Sequence, residues 1–323
     1  MIWRSLFLAP LLLLLLWGAL ALFYQLQLVG WLRWIVILSW TLIQGLLLWG
    51  WWRTGSGWQL LAMTTLFVLA VMWWSTIKPS HHRVWAEDVA QLTTADVSGT
   101  HVTLHNVRNF EWDTRDKAIA RWETRTYDID DIQSVDMFLS YWMGPAIAHT
   151  LVSFGFGNGD YVVWSVEIRR EAHESFSSVG GFFKKFETSV VAADENDIIR
   201  LRTNARGEDV YRYPVAIPLP AARSLFLAYA DKANQVADQP RFYHTVIANC
   251  TTIVYDLVKR IIPRLPKDYR LLLSGYLPEY LYEMNAIDTT LPLAQVRQQA
   301  AITEQAKRMP DDAEFSQYIR QGK

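Results

Sequence analysis

Ile147-Ala148-His149-Thr150-Leu151-Val152-Ser153-Phe154-Gly155-Phe156, then Gly157-Asn158-Gly159-Asp160, then Tyr161-Val162-Val163-Trp164-Ser165-Val166-Glu167-Ile168-Arg169: two apolar, β-branched and aromatic runs flank a cluster of turn residues. The Asn158-Gly159 pair is expected to supply the positive φ angles of a tight turn, which predicts an antiparallel hairpin. Gly155, Gly157 and Gly159 do not make a phosphate loop, because the dinucleotide spacing is absent and a strand follows where a helix is required. Alternation along a strand puts His149, Leu151 and Ser153 on one face, and Tyr161, Val163, Ser165 and Glu167 on one face of the neighbour. Either Glu167 or Ser165 can therefore orient the His149 imidazole, and Tyr161 shares their face.

Outward from the hairpin, alternating segments predict strands over 101–107, 121–129, 188–192 and 210–216. Helical spacing of Leu225, Leu227 and Ala228 predicts a helix over 219–236. The tail after Pro292 is expected to be a polar, charged helix. The fold class is thus α+β with an antiparallel sheet. His101 and His105 suit a metal only at helical spacing; on a strand they stand ~13 Å apart, too far for one ion.

A second helix is predicted from Asn249 towards Ile262, ended by Pro263, with Ile253, Val254, Leu257 and Ile261 as its apolar stripe. Asn249 is its N-cap and Cys250 falls in the first turn. There the unpaired backbone N–H groups and the helix dipole stabilise a thiolate and can receive an oxyanion. Cys250 is the single cysteine of the chain, so it is either an inert core residue or a working thiol, and no internal disulfide exists. Asn249-Cys250-Thr251 also matches a glycosylation sequon. No Ser sits in a G-x-S-x-G elbow, and His173-Glu174 lacks the second histidine of a zinc-protease helix. Candidate catalytic residues are accordingly Cys250, His149 and Glu167, with Asn249, Thr251, Ser165 and Tyr161 as oxyanion donors or supports.

The 323 residues are unevenly composed. From Leu6 to Ile77 the only charges are Arg33 and Arg53, and most of the sixteen tryptophans crowd into the first quarter. Spanning a bilayer takes about 20 apolar helical residues, which predicts transmembrane helices over 6–28, 31–49 and 58–77 and an anchor ending near residue 80. Trp31, Trp34, Trp49, Trp51, Trp52, Trp58, Trp73 and Trp74 lie at or near segment ends, where an indole suits the interface. Arg4 and Arg53 on one side balance Arg33, Lys78 and Arg83 on the other, so charge bias does not orient the spans. An odd number of spans places the N-terminus and the 81–323 domain on opposite faces. With 31 basic and 32 acidic residues, no global field recruits nucleic acid.

Over 106–262 the sequence resembles the Lnb-type periplasmic domain family, a permuted papain-like (NlpC-type, LRAT-like) cysteine fold. The resemblance rests on Asn106-Val107-Arg108-Asn109-Phe110, His149-Thr150-Leu151-Val152-Ser153-Phe154, Ser165-Val166-Glu167-Ile168-Arg169-Arg170-Glu171, Phe242-Tyr243-His244-Thr245 and Asn249-Cys250-Thr251-Thr252. It differs from the named enzymes in carrying its helices ahead of the domain, and in His244 where the family more often has Asn. The resemblance implies Cys250 as nucleophile, His149 as base, and an acyl thioester passed to an amine without metal or organic cofactor. It implies a membrane phospholipid as acyl donor, a lipoprotein N-terminus or other amine as acceptor, and a bacterial inner membrane with the domain in the periplasm. Two alternatives stay open on the residues alone: a cysteine peptidase or amidase with the same Cys-His site, and a non-catalytic membrane assembly or chaperone module.

Overall fold

The computed structural model describes residues 2–310 and 314–321, and the part of the predicted C-terminal helical region at 311–313 and 322–323 lies outside the described residues. Two compact units form, Met1–His81 with Phe176–Phe186, and His82–Ser175 with Glu187–Lys323.

The first unit contains helices α1 (Ile2–Gln25), α2 (Gly30–Thr54) and α3 (Gly57–Thr76), each long and apolar enough to cross a membrane. Helix α2 runs past the predicted end at Trp49, because Trp51 is buried in the bundle and left-handed Gly55 (φ 72) supplies the stop. Gly18 lets α1 and α2 approach: a Cβ there would stand 2.3 Å from the Trp40 ring, whose Nε1 donates to Leu15 O at 3.1 Å.

In the second unit the strands are β1 (Thr94–Ser98), β2 (His101–Arg108), β3 (Glu111–Thr114), β4 (Lys117–Ile119), β5 (Trp122–Asp128), β6 (Ile132–Tyr141), β7 (Ala148–Phe156), β8 (Tyr161–Arg169), β9 (Glu187–Ala193) and β10 (Asp209–Pro214). Eight of them form one sheet in the order β1-β2-β9-β8-β7-β6-β10, with β5 also on β2, while β3 and β4 pair separately. Every ladder is antiparallel except the short β2–β9 contact. The sheet is therefore mostly antiparallel and the unit is α+β.

The hairpin is β7–β8, in register from Leu151↔Ser165 to Gly155↔Tyr161. Its turn differs from the predicted one, since Gly159 alone has a positive φ (89) and Asn158 does not. The Asn158 side chain instead accepts the Asp160 N–H at 3.0 Å, fixing the turn by a local side-chain bond.

Alternation along the central strands divides the core. Val152, Phe154, Trp164, Val166, Val190 and Ala192 point to one side. There they meet helices that follow α4 (Glu195–Arg200): α5 (Leu219–Asp238), through Phe226 and Tyr229, and α6 (Cys250–Ile261), through Cys250, Ile253 and Leu257. Each large side chain so buried contributes about 1.5–3 kcal/mol. Phe138, Leu151, Val163 and Val191 point to the other side, against Ile198, Ile199, Ile302 and Phe315. The tail is not the single polar helix expected. After α7 (Leu277–Glu283), which precedes Pro292, it breaks into α8 (Leu293–Ala300), α9 (Thr303–Lys307) and α10 (Phe315–Tyr318), because Ile302, Ala306, Phe315 and Ile319 turn in to cover this second face.

Candidate active site

Helix α6 begins where its sequence says it must. Asn249 sits outside the helix with extended backbone, and its Oδ1 accepts the N–H groups of Thr251 and Thr252, both at 2.9 Å. Thr252 Oγ1 returns the bond by accepting the Asn249 N–H at 3.0 Å, which completes a reciprocal cap. Asn249 Nδ2 donates to Thr245 O at 2.7 Å. Asn249 thus supports the site by starting the helix: Oδ1 is occupied by the cap, one Nδ2 hydrogen by Thr245, and the side chain is buried. The Thr251 N–H is taken as well; its hydroxyl lies 3.3 Å from Thr150 Oγ1 and 3.8 Å from Cys250 Sγ.

Cys250, the first residue of the helix, is 8% exposed, as is His149. They meet where the hairpin opens. The β7–β8 ladder stops at Leu151↔Ser165, and before it the freed Thr150 N–H bonds the Cys250 sulfur. His149 hydrogen-bonds Cys250 as well. Its Nε2 is engaged elsewhere, 2.8 Å from Ser165 Oγ and 3.0 Å from Glu167 Oε1, which leaves Nδ1 for the sulfur. Ser165 and Glu167, left as alternatives by the alternation pattern, are both brought to the ring, and Ser165 also donates to Glu167 Oε1 at 2.7 Å.

A fourth group completes the arrangement. Arg202, 5% exposed, donates from Nη2 to the same Glu167 oxygen at 2.9 Å and approaches Glu208 Oε2 at 3.4 Å through Nη1. Ser140 donates to that Glu208 oxygen. Arg202 sits in a π-helical turn over Leu201–Ala205 that directly continues α4. Such a turn makes no period-3.6 or period-2 signal, which is why sequence patterning missed this arginine.

The electrostatics follow from burial and partners. Burial alone would raise the Glu167 carboxyl, but His149 and Arg202, with the Ser165 hydrogen bond, hold it well below the usual carboxylate range. Burial alone would lower the His149 imidazole. Glu167, with help from Cys250 and against Arg202, pushes it up to about 9. Burial would likewise raise the Cys250 thiol, yet the charge and hydrogen bond of His149, with the Thr150 N–H and Thr251 hydroxyl, bring it below its ordinary value. Both shifts run in the direction that favours a thiolate beside an imidazolium.

Tyr243, not singled out by spacing, has its hydroxyl on the main-chain N–H of Cys250; burial and the charges of Cys250 and Glu167 raise its pKa. Tyr161 does not belong to the site. It pairs with Gly155 at the turn end of the hairpin, six residues or ~20 Å along β8 from Glu167, and its ring lies under Arg320 at 3.7 Å. A cleft of about 910 Å³ opens nearby, lined by Glu208, Tyr141, Trp142, Arg206 and Arg297 among others, though not by Cys250 or His149.

The His149 strand, the Glu167 strand, Arg202 and the Cys250 helix all lie within residues 118–275, which match the family described as the Lnb N-terminal periplasmic domain. Over those residues the chain is of the Lnb type. The match starts and ends later than the 106–262 stretch that carries the quoted motifs, and it takes in the Arg202 turn and Glu208. With three N-terminal helices able to cross a membrane, the chain is a membrane protein carrying a periplasmic Lnb-type domain. No curated protein and no solved structure matches the chain.

Proposed function

We propose that this Lnb-type chain is a cysteine acyltransferase, multi-pass in a bacterial inner membrane, which moves a fatty acyl chain from phospholipid to an amine. The observation that carries the proposal is the buried Cys250–His149–Glu167 arrangement at the start of a capped helix. The order of its parts, histidine strand before cysteine helix, suits the permuted papain-like fold that the resemblance implies.

In the first half-reaction the Cys250 thiolate attacks the ester carbonyl of the donor and forms the carbon–sulfur bond. The developing oxyanion displaces the Tyr243 hydroxyl from the Cys250 N–H and takes hydrogen bonds from both. The imidazolium of His149 gives its proton to the departing glycerol oxygen, the carbon–oxygen bond breaks, and a lysophospholipid leaves. In the second half, the acceptor amine attacks the thioester, neutral His149 takes a proton from it, and the Cys250 thiolate departs, restoring the ion pair. Glu167 keeps the ring in the tautomer and orientation both halves need, and Arg202 fixes Glu167. No step calls for a metal or cofactor. A lipoprotein N-terminus is the acceptor the resemblance implies, and membrane anchoring keeps donor and acceptor in one plane.

Incubating the full chain in phospholipid vesicles without an amine acceptor and weighing the intact protein tests the proposal. A mass gain of one fatty acyl group, absent in Cys250→Ala, is the expected result. Peptide or amide cleavage that needs Cys250 but no lipid, with no acyl adduct, would overturn it in favour of the hydrolase.

A further inference from the structure

We propose that the β8–β9 connection over 176–186 is a lipid-inserting element: it seats Phe176, Val179 and Phe182 in the interfacial layer of the bilayer that the helices cross. The inference rests on the membrane placement of α1 and α3 and goes beyond the proposed chemistry.

The segment folds with the helices. Phe183 stacks on Tyr24 at 5.5 Å and meets Trp74 edge-on at 6.0 Å. Gln25 Nε2 donates to Phe183 O at 2.7 Å, and the Tyr24 and Ser177 hydroxyls lie 3.2 Å apart. Lys184 donates to Trp74 O at 2.9 Å and Ile77 O at 3.3 Å, placing a cation on the last carbonyls of α3, where the helix dipole favours it.

These contacts fix the level of the segment. Tyr24 and Gln25 close α1 and Trp74 stands two residues from the end of α3. In a bundle that runs up, down and up, those two ends share one side of the membrane. A 20-residue helix spans ~30 Å, the thickness of the hydrocarbon layer, so its last turn lies at the boundary with the headgroups. At that depth Phe176, Val179 and Phe182 are 55%, 47% and 43% exposed. Three bulky apolar groups turned outward at the boundary match an interfacial lipid contact. An aqueous loop of the same length has no reason to carry them.

The test uses single-cysteine variants of the full chain in a Cys250→Ala background: Phe176→Cys, Val179→Cys and Phe182→Cys in the segment. Val68→Cys at the middle of α3 and Asp116→Cys, a side chain 83% exposed, serve as deep and aqueous references. Each is labelled with an environment-sensitive dye and placed in phosphatidylcholine–phosphatidylglycerol vesicles bearing nitroxides at the headgroup or deep in the acyl chain. The expected result is a blue shift and loss of emission with headgroup-level nitroxide at the segment labels, loss with deep nitroxide at position 68, and neither at 116. Quenching at 68 with segment labels behaving like 116 would overturn the inference alone. No quenching at 68 would overturn the membrane placement and the inference with it. Three labelling positions guard against one substitution disturbing the fold.

Discussion

Two strand histidines in this domain each lie beside a carboxylate from the neighbouring strand, and only one of them is part of a candidate site. His149 Nε2 stands 3.0 Å from Glu167, and His105 Nε2 stands 2.8 Å from Asp96. By distance the second pair is the better one. The side chains of the first pair are 10% and 19% exposed, those of the second 39% and 83%. Beyond the ring the contrast widens: His149 has a cysteine on its other side, whereas His105 Nδ1 faces only the Thr124 hydroxyl at 3.4 Å. A charge pair out of water interacts several-fold more strongly than one in it. Burial and the third partner, not the length of the hydrogen bond, set the His149–Glu167 pair apart from the His105–Asp96 pair.

The hardest way to strain that comparison is to delete the rings. Cys250→Ala is expected to abolish thioester formation, and His149→Ala to slow it by ~10²–10⁴-fold, the usual weight of a general acid–base group. His105→Ala is expected to leave the rate unchanged. Single-turnover acylation of the three variants checks this, and comparable losses in the two histidine variants would end the distinction drawn between them.

Next in size is the arginine behind the buried pair. Arg202→Met leaves Glu167 facing His149 without its second cation and leaves Glu208 short of a partner. Breaking a buried pair by removing one member costs about 3–5 kcal/mol. Glu167 keeps some contact with solvent, so the lower end, about 3 kcal/mol, is expected in the thermal unfolding of the domain. Arg202 also marks where the sequence stopped being legible. His149, Glu167 and Cys250 could be placed because strand alternation has period two and a helix start has its own cap signature. Arg202 stands 35 residues from Glu167 in the chain, in an irregular turn whose position depends on tertiary packing. Tyr161 failed for a related reason: sharing a face with Glu167 says nothing about the distance along the strand. The apolar helices were legible by length, while the return of Phe176–Phe186 to them, carried by single aromatic and lysine contacts, was not.

The third effect is on pH dependence. His149 has a folded pKa raised to about 9, so its contribution to stability is fully present below the unfolded value of ~6.5 and is lost as pH rises through about 9. Glu167 and Cys250 are depressed, so theirs is present above their unfolded values and is lost as pH falls through the folded ones. Both shifts favour the thiolate–imidazolium form below about 9. Alkylation of Cys250 is expected to stay fast at neutral pH, where an ordinary thiol with pKa ~8.5 reacts slowly, and acyl transfer from phospholipid to fall above about 9 as the leaving oxygen loses its acid. Glu167→Gln takes away the largest force raising the imidazole and should move that alkaline limb to lower pH. An alkylation profile that titrates near ~8.5 and is untouched by Glu167→Gln would remove the ion pair from the site.

The smallest effect is the one that holds the comparison together from its other end. If solvent exposure is what separates the two pairs, neutralising the carboxylate beside His105 must do almost nothing although its hydrogen bond is short. Asp96 lies on the edge strand β1, opposite Thr103, and its side chain is open to counterions and water that replace whatever His105 offers. Exposed pairs of this kind contribute ~0–1 kcal/mol, and less in salt. Asp96→Asn is therefore expected to shift unfolding by less than ~0.5 kcal/mol in 0.15 M salt and to leave acylation unchanged. A shift as large as that of Arg202→Met would mean that the β1–β2 edge is held by charge and that exposure is the wrong variable.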